Sequence, residues 1–448
     1  MFVLRPRFSD ILSFEFLFLL FLVSGAFKGA ASVQSLNSRI DVTVLTAICG
    51  VIVGTFVFLR RRQPLNQNQA RFALVFVFLV ALAGISHATS SLVTHQMTLK
   101  LQKFAVFNTW AVAAPLFVMN TPMRMERLLR LFAGYSMIVV MQALVASQTS
   151  DSVVFMGAFG TEHYHALGRA AGIGGVMALG LLLAETRKIR QIILAGALAC
   201  ALLAVFVSST RQALVGMIPA AICLILWLKH GRFSPVLFVR WTFITLLALA
   251  SFVAVKALLF SGIDLERVWI RMLAVFGLGA EGGATLVDSE RPRLWMEGIE
   301  LWMSHPILGT GFGSHSLMSP SGMRHPHNFF VELLAELGIV GLILGITLIA
   351  VPVRNTLGDR REGQPWSLAI TQAICVLLFT CAMFSGDLTD NRLLFAFLAL
   401  SLVAHVPRST LRRVSPLDTT LPGVRSSALL GEGQKAQPRI ANSTAIGE

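Results

Sequence analysis

Twelve apolar stretches, each about 20 residues long, fill most of this sequence and restrict what it can fold into. A helix needs roughly that length to cross the hydrocarbon of a bilayer. Of all residues, 55% are hydrophobic and only 13% are charged, so a soluble fold is excluded. The sequence therefore predicts an all-α, polytopic membrane protein. The predicted spans are 11–30, 40–59, 70–90, 104–122, 128–147, 167–184, 191–208, 211–228, 238–260, 328–352, 367–385 and 389–406.

The distribution of Lys and Arg predicts the orientation of these spans. Short cytoplasmic loops retain positive charge, and most of the 37 basic residues fall on one side if the N-terminus is inside. Both termini are then cytoplasmic. Residues 407–448 contain four prolines and no aromatic residue, which predicts a disordered cytoplasmic tail. The first span also has the features of a cleaved signal peptide, an alternative that leaves the topology unchanged.

One long loop, residues 261–327, follows the ninth span and is predicted on the outer side of the membrane. It separates nine helices in residues 1–260 from three in residues 328–406. Long loops cross the membrane regardless of their charge, so topology does not explain the basic residues of this loop. An anionic ligand is one explanation for these basic residues. The net charge of +14 does not indicate a nucleic acid partner, because most of it follows the topology pattern.

The C-terminal part of this loop and the start of the next span contain most of the candidate functional residues. Glu297 lies four residues after Arg293 and is placed to neutralise it. Arg291 has no equivalent carboxylate and is the better predicted anion ligand. A glycine turn is also able to bring backbone N–H groups close to an anion. The candidates in this region are Arg291, Arg293, Gly309, Gly311, Arg324, His325, His327 and Asn328.

Two further arginines lie at the outer ends of predicted spans. Arg211 follows a short turn between the seventh and eighth spans, and no acidic residue is near it in the sequence. Arg169 opens the sixth span, where a charge is costly without a partner or a water-filled cavity. Guanidinium groups bind phosphate oxygens in pairs. Both arginines are therefore predicted to face an anionic group, such as a phosphate or diphosphate.

A metal site is the alternative interpretation of His163 and His165, if Glu162 joins them. Two histidines at this spacing do not make a site by themselves. The five cysteines lie in or near the spans without a CxxC pattern, so neither a zinc site nor a disulfide framework is predicted. We expect no metal and no cofactor.

Several of the candidate residues form a pattern that resembles the signature region of the O-antigen ligase and polymerase superfamily. Thr210-Arg211 is similar to a second element of that family and Arg169-x-x-Gly172 to a third, although Ile173-Gly174-Gly175 stands where many members have an Asn-Pro-Asn type segment. The signature-like elements are Arg291-x-x-x-Trp295, His305-Pro306-Ile307-Leu308-Gly309-x-Gly311, His327-Asn328 and Glu336-x-Gly338.

This resemblance implies a metal-independent, inverting glycosyltransferase of the bacterial inner membrane, with its active site on the periplasmic face. It implies transfer of a glycan from an undecaprenyl-diphosphate carrier to a hydroxyl of lipid A core; O-antigen or exopolysaccharide polymerisation is the alternative with the same chemistry. His327 is the implied general base, and Arg211 and Arg291 are the implied diphosphate ligands. The partners are the lipid-linked donor, the acceptor and membrane lipids. The implied substrate-binding residues are Arg169, Arg293, Gly309, Gly311, Arg324, His325 and Asn328.

Two functions of other classes stay open at this stage. A transporter of lipid-linked glycans shares the lipid-binding arginines but needs no base, so substitution of His327 separates it from a transferase. A structural membrane subunit has no use for the histidines of the loop. The role of Glu332 is also open, because it is placed either to orient His327, to balance an arginine or only to favour the helix dipole.

Overall fold

Apolar helices make up almost all of the chain that the structure describes. In this computed structural model the predicted ninth span, the first part of the long loop, the tail and Glu162-His163 lie outside the described residues. Strands are absent from the described part. The described residues are 8–11, 13–27, 37, 40–60, 64–90, 92–149, 164–208, 210–228, 290–358, 366–384 and 386–403.

Twelve helices of nine or more residues are described, numbered here in chain order. The fourth is one continuous helix with two π-helical turns, Phe104–Asn108 and Ala114–Val118. The helices are α1 (Phe14–Phe27), α2 (Val42–Arg60), α3 (Gln67–Thr89), α4 (His95–Val118), α5 (Pro122–Thr149), α6 (Tyr164–Ala184), α7 (Lys188–Val207), α8 (Arg211–Leu228), α9 (Glu290–Ser304), α10 (Phe329–Gly358), α11 (Trp366–Ala382) and α12 (Arg392–Leu400).

The all-helical, polytopic architecture predicted from hydropathy is confirmed. Eight of the described helices, α2 to α8 and α10, are long and apolar enough to cross a membrane, while α1 and α11 are shorter apolar helices. Large apolar side chains such as Ile48, Ile52 and Phe56 of α2 are exposed on the outside of the bundle, as expected of a lipid-facing surface. The total of twelve spans and the placement of the long loop stay predictions.

The start of the fourth span was predicted too late in the chain. The helix begins at His95 rather than at residue 104, because the side chain of Thr94 caps it by accepting a hydrogen bond from the Met97 N–H. Lys100 and Lys103 therefore belong to a helix and not to an outer loop. Their charge lowered the hydropathy of this segment and concealed its helical start.

Close helix contacts centre on α6, which packs against α5, α7, α8 and α11. Its glycines permit this, as small residues do in membrane bundles. A Cβ atom at Gly168 would lie 2.4 Å from the Thr210 side chain, and one at Gly180 would lie 2.5 Å from Ile370. The contact between Gly168 and Thr210 holds the start of α6 against the start of α8. Arg169 and Arg211 are the residues that follow Gly168 and Thr210 in the sequence.

A buried cluster of opposite charges fastens α1 to α5. Glu15 accepts hydrogen bonds from Arg124 at 3.1 Å and Arg127 at 3.3 Å, and Asp10 accepts one from Arg130 at 3.1 Å. Both carboxylates are buried, so these pairs are far less screened than surface pairs. The cluster positions α1, whose other end forms part of the cavity described below.

A break in α10 at Gly338 receives the loop that follows α9. Gly338 has φ 66° and ψ −163°, which interrupts the helical hydrogen bonding. The loop supplies the missing partners: the Thr310 N–H donates to the Ala335 carbonyl at 2.9 Å, and the Ile339 N–H donates to the Pro306 carbonyl at 2.9 Å. The loop and α10 are thus joined by backbone hydrogen bonds.

Candidate active site

A cavity of about 500 Å³ lies between α1, α5, α6, the loop before α10 and the turn before α12. Apolar side chains of α1, α5 and α6 form much of its wall. Two of the predicted site histidines and one of the predicted arginines also lie on it. Its polar lining residues are Tyr135, His165, Arg169, His325, His327, Asp390 and Arg392.

His327 has the most unusual backbone of the residues on this wall. Its φ is 56°, and in the described part of the chain no other residue except glycine has a positive φ. Such a conformation is strained for a side chain and recurs at functional sites. The imidazole is half-buried and forms no hydrogen bond with another described residue. Burial, then the charge of Arg291 and that of His315, lower the pKa of His327, so its ring is neutral at pH 7.

His325 packs edge-on against His327, with ring centroids 4.3 Å apart. Its Nδ1 atom is buried and has no hydrogen-bond partner among the residues that the structure describes. Burial lowers the pKa of His325 to about 4, against the opposing carboxylate of Asp387. Both histidines are therefore neutral, and both are placed to accept a proton.

Asn328 caps α10 and has no cavity position. Its Oδ1 atom accepts hydrogen bonds from the Phe330 and Val331 N–H groups at 3.0 and 3.1 Å, and its amide donates to the Met383 carbonyl at 3.4 Å. These bonds account for the side chain, so the expected substrate contact of Asn328 has no support in the structure. The residue instead holds His327 at the end of α10.

Of the loop arginines, Arg291 is the one whose charge acts on His327. Arg293 is 63% exposed, and its Nε atom donates to Glu297 at 3.0 Å, as the spacing predicted. Arg324 is exposed. Neither Arg293 nor Arg324 lines the cavity, and substrate binding by these two residues stays an untested prediction without structural support.

Glu297 binds the loop that follows α9 as well as Arg293. It is only 6% exposed and accepts hydrogen bonds from the hydroxyls of Ser319 and Ser321. Burial alone would raise the pKa of Glu297, but these bonds and the one from Arg293 outweigh it and lower the pKa to about 2. A buried carboxylate thus folds the loop back onto α9.

Arg169 and Arg211 begin neighbouring helices that are tied together twice. Thr210 packs on Gly168, and the Gln212 amide lies 2.9 Å from Nδ1 of His165. Arg169 lines the cavity, whereas Arg211 and Arg291 lie outside its lining. The structure therefore brings Arg169 to the two histidines, while Arg211 and Arg291 lie outside the cavity lining.

The backbone N–H groups of the glycine turn donate hydrogen bonds to acceptors within the protein, including Glu336 next to the break in α10. The Gly311 N–H donates to the Glu336 carbonyl at 3.3 Å, and the Gly309 N–H donates to the His305 carbonyl at 3.0 Å. A side-chain anion is present, because the Gly313 N–H donates to the Glu336 carboxylate at 2.9 Å. The N–H groups of Gly309 and Gly311 are thus used within the protein, and substrate binding by these two glycines stays a prediction.

Lys100 and two glutamates of α10 form a buried cluster that the sequence did not reveal. The ammonium group lies 2.6 Å from Glu332 and 2.8 Å from Glu336, and both glutamate side chains are completely buried. Glu332 also accepts a hydrogen bond from the Leu388 N–H at 3.0 Å. Glu332 therefore neither orients His327 nor balances an arginine; it fixes the turn before α12. In the sequence, two glutamates one helical turn apart within an apolar span were the feature that could have indicated a buried partner of opposite charge.

The turn before α12 supplies three further charged groups near the cavity: Asp387, Asp390 and Arg392. Burial would raise the pKa of Asp387, but the charge of Lys100, then that of His325, and hydrogen bonds from Thr389 and the Asp390 N–H lower it. Asp390 is exposed and lines the cavity. These three charged residues stand at the start of an apolar span, where charges are costly, and this feature of the sequence could have indicated their importance.

No group of three or more His, Cys, Asp or Glu side chains that could hold a metal ion occurs in the described ranges. His163 and Glu162, the other members of the metal alternative, lie outside them. The absence of a metal site stays a prediction.

A comparison with protein families decides what kind of domain surrounds this site. Residues 196–346 match the family model Wzy_C, described as O-antigen ligase. This segment is similar to O-antigen ligases. The match confirms the resemblance to the O-antigen ligase and polymerase superfamily, and it supports an enzyme of polysaccharide synthesis. A search of curated proteins finds no match to the chain.

The O-antigen ligase match contains Arg211, Arg291 and His327 but not the whole cavity. Arg169 precedes the matched segment, and Asp390 and Arg392 follow it. The matched segment therefore includes the three predicted catalytic residues, whose roles stay predictions, while part of the cavity wall lies outside it.

Proposed function

We propose that this O-antigen ligase family member transfers a glycan from an undecaprenyl-diphosphate carrier to an acceptor hydroxyl. The state of His327 carries the proposal: the imidazole opens on a cavity, makes no hydrogen bond to another described residue and lies near the charge of Arg291. A general base needs an accessible, unprotonated nitrogen at working pH. His327 meets both conditions, and a strained backbone holds it in place.

The reaction follows from this placement. His327 takes the proton of the acceptor hydroxyl while the hydroxyl oxygen attacks the anomeric carbon of the donor sugar. The bond from that carbon to the diphosphate oxygen breaks, and its electron pair leaves with the diphosphate. Attack from the side opposite to the leaving group inverts the anomeric carbon.

Arginines are proposed to stabilise the charge that develops on the diphosphate. Arg211 and Arg291 begin helices at the edge of the site, and Arg291 is close enough to His327 to lower its pKa. Guanidinium groups bind phosphate oxygens in pairs, and charge stabilisation of this kind is a large contribution to catalysis. A divalent ion is then not needed. Arg169, on the cavity wall, is proposed as a further substrate ligand.

The proposed setting is the bacterial inner membrane, with the site on the periplasmic face and both termini in the cytoplasm. This agrees with the distribution of basic residues along the spans. Lipid A core is the proposed acceptor. Polymerisation of O-antigen or exopolysaccharide repeats uses the same chemistry and differs only in the acceptor.

The surface-polysaccharide profile of a deletion strain tests this function. The ligase proposal expects loss of polymer from lipid A core together with accumulation of lipid-linked polymer. Single repeats in place of long chains would instead assign the polymerase reaction. Wild-type protein should restore the profile, and His327→Ala protein present at the same level should not. Restoration by His327→Ala would favour a transporter, and an unchanged profile in the deletion strain would refute the proposal.

A further inference from the structure

Two charged side chains on the cavity wall, Asp390 and Arg392, have no part in the proposed transfer chemistry. Asp390 lies in the 3₁₀ turn Leu388–Asn391, and Arg392 is the first residue of α12. Both follow the O-antigen ligase match, which ends at residue 346. Their opposite charges act on each other, and the charge of Asp41 also acts on Arg392. No hydrogen bond joins Asp390 to Arg392, so both keep polar atoms that a ligand can bind.

Arg392 is fixed at one edge and open at the other. Its Nε atom donates to the Leu22 carbonyl at 3.0 Å, and its guanidinium carbon lies 5.4 Å from the centre of the Phe21 ring. A Cβ atom at Gly25 would come within 3.3 Å of Nη2, so a glycine at this position leaves room for the group. The two Nη groups have no hydrogen-bond acceptor in the described part of the chain. Such a fork suits a phosphate or a carboxylate.

Asp390 is able to accept hydrogen bonds from a ligand, whereas Arg392 donates them. Its own N–H is bound by Asp387 at 2.9 Å, whereas its carboxylate accepts no hydrogen bond from any described residue. Gly386, with φ 80°, leaves space beside it: a Cβ atom there would lie 3.2 Å from Nη2 of Arg169 and 3.9 Å from Oδ2 of Asp390. An ionised carboxylate only accepts hydrogen bonds, so a ligand next to Asp390 must donate them. Sugar hydroxyls do so.

We propose that Asp390 and Arg392 form a subsite for an anionic sugar, a sugar phosphate or a uronic acid. The sugar hydroxyls bind Asp390 and the anionic group binds Arg392. Free phosphate is repelled by Asp390, and a neutral sugar offers no anionic group to the Nη atoms of Arg392. The cavity of about 500 Å³ is of the size of small-molecule sites. That this sugar belongs to the acceptor rests on the proposed function, because His327 lines the same cavity.

Ligand-observed NMR titrations of the full-length protein in detergent test this subsite with four probes. The probes are glucose 6-phosphate, glucuronate, glucose and inorganic phosphate. We expect one or both of the anionic sugars to bind more tightly than glucose and phosphate, and the tighter of the two identifies the anion. Hydrogen bonds to charged groups predict that Arg392→Gln weakens that binding roughly 10- to 100-fold. Arg354→Gln, an exposed arginine near the end of α10, is the matched control.

A second variant keeps the test decisive, because Arg392→Gln also loses the bond to Leu22 and is at risk of misfolding. Asp390→Asn removes a charge without removing any hydrogen bond of the carboxylate to a described residue. It should strengthen binding of inorganic phosphate and so narrow the preference for glucose 6-phosphate, a change that misfolding does not produce. Equal binding of all four probes by wild-type protein, or an unchanged preference in Asp390→Asn, would overturn the subsite.

Probe binding does not require transfer, so the two proposals fail separately. An unchanged polysaccharide profile in the deletion strain, with the probe preference intact, would remove the proposed function and leave the subsite. Loss of the probe preference together with the expected polysaccharide profile would remove the subsite and leave the proposed function.

Discussion

Single residues decide how far this site resembles a glycosyl-transfer centre, and the arginines divide into two groups. Arg211 and Arg291 begin helices at the edge of the site, whereas Arg293 is paired with Glu297 and Arg324 is exposed. Position therefore separates the two proposed diphosphate ligands from Arg293 and Arg324 more sharply than residue type does.

We expect Arg211→Ala or Arg291→Ala to abolish transfer by purified protein while membrane insertion is preserved. A Lys substitution should restore little, because an ammonium group does not reproduce the bidentate contact. Arg293→Ala and Arg324→Ala are the matched controls and should retain most activity. Near-normal turnover by Arg211→Ala or Arg291→Ala would contradict the proposal that the substituted arginine binds the diphosphate.

The pH dependence of transfer reports the state of His327. Burial, Arg291 and His315 lower its pKa below the ordinary value of 6.5, and a base is active when unprotonated. Activity should therefore be lost as the pH falls through a value below 6.5. Arg291→Gln removes one cause of the lowered pKa, so the His327 imidazole, followed by NMR, should become protonated at a higher pH in this variant. An unchanged titration of His327 in Arg291→Gln would contradict the proximity of the two side chains.

At the scale of elements, the joint between the loop and α10 is the least predictable part of the fold. Gly338, Gly341 and Gly345 predict close contact with another helix, yet Gly338 breaks the helix and the two others face side chains of α10 itself. The break depends on hydrogen bonds from a distant loop. Local sequence does not contain that information.

Gly309→Ala tests this joint. Gly309 has φ 71°, and a Cβ atom there would lie 2.3 Å from the carbonyl carbon of Glu336, a backbone atom that has no room to move. We expect a lower unfolding temperature and a loss of transfer activity in detergent. Gly322→Ala is the control, since it has φ 65° but no atom within 4 Å of the added methyl. It should show only the strain of the backbone, about 1–2 kcal/mol. Equal effects of the two variants would mean that the joint is not tight.

The buried charges of Lys100, Glu332 and Glu336 connect this joint to the turn before α12. The sequence placed Lys100 in an outer loop, because the charge of the lysines obscured the helix that contains them. An ion cluster formed by residues more than 200 positions apart is a tertiary property, and only the three-dimensional packing reveals it.

At the scale of the whole molecule, hydropathy predicted the helices well. Each predicted span in the described part has a corresponding helix, because about 20 apolar residues leave the chain few other structures in a bilayer. The structure brings His325, His327 and Arg169 to one cavity, although no pattern in the sequence connects them. Asp390 and Arg392 were missed because their importance comes from the cavity they share with His327, not from a pattern in their own segment.

Metal dependence is a property of the complete reaction. In the proposed reaction arginines stabilise the leaving diphosphate in place of a divalent ion, so we expect transfer by purified protein to be unaffected by EDTA. A metal-dependent transferase assayed in parallel shows that the chelator is effective. Loss of activity in EDTA and its restoration by one specific metal would contradict this account.

The most direct test of the central claim is single-turnover transfer by purified His327→Ala protein. General-base assistance is typically worth about 10²- to 10⁴-fold in rate, so the variant should lose that factor while it still binds the lipid-linked donor through its arginines. His325→Ala, its neighbour 4.3 Å away between ring centroids, should be less affected. Normal turnover by His327→Ala with an inactive His325→Ala would assign the base to His325, and normal turnover by both would contradict the acid–base mechanism.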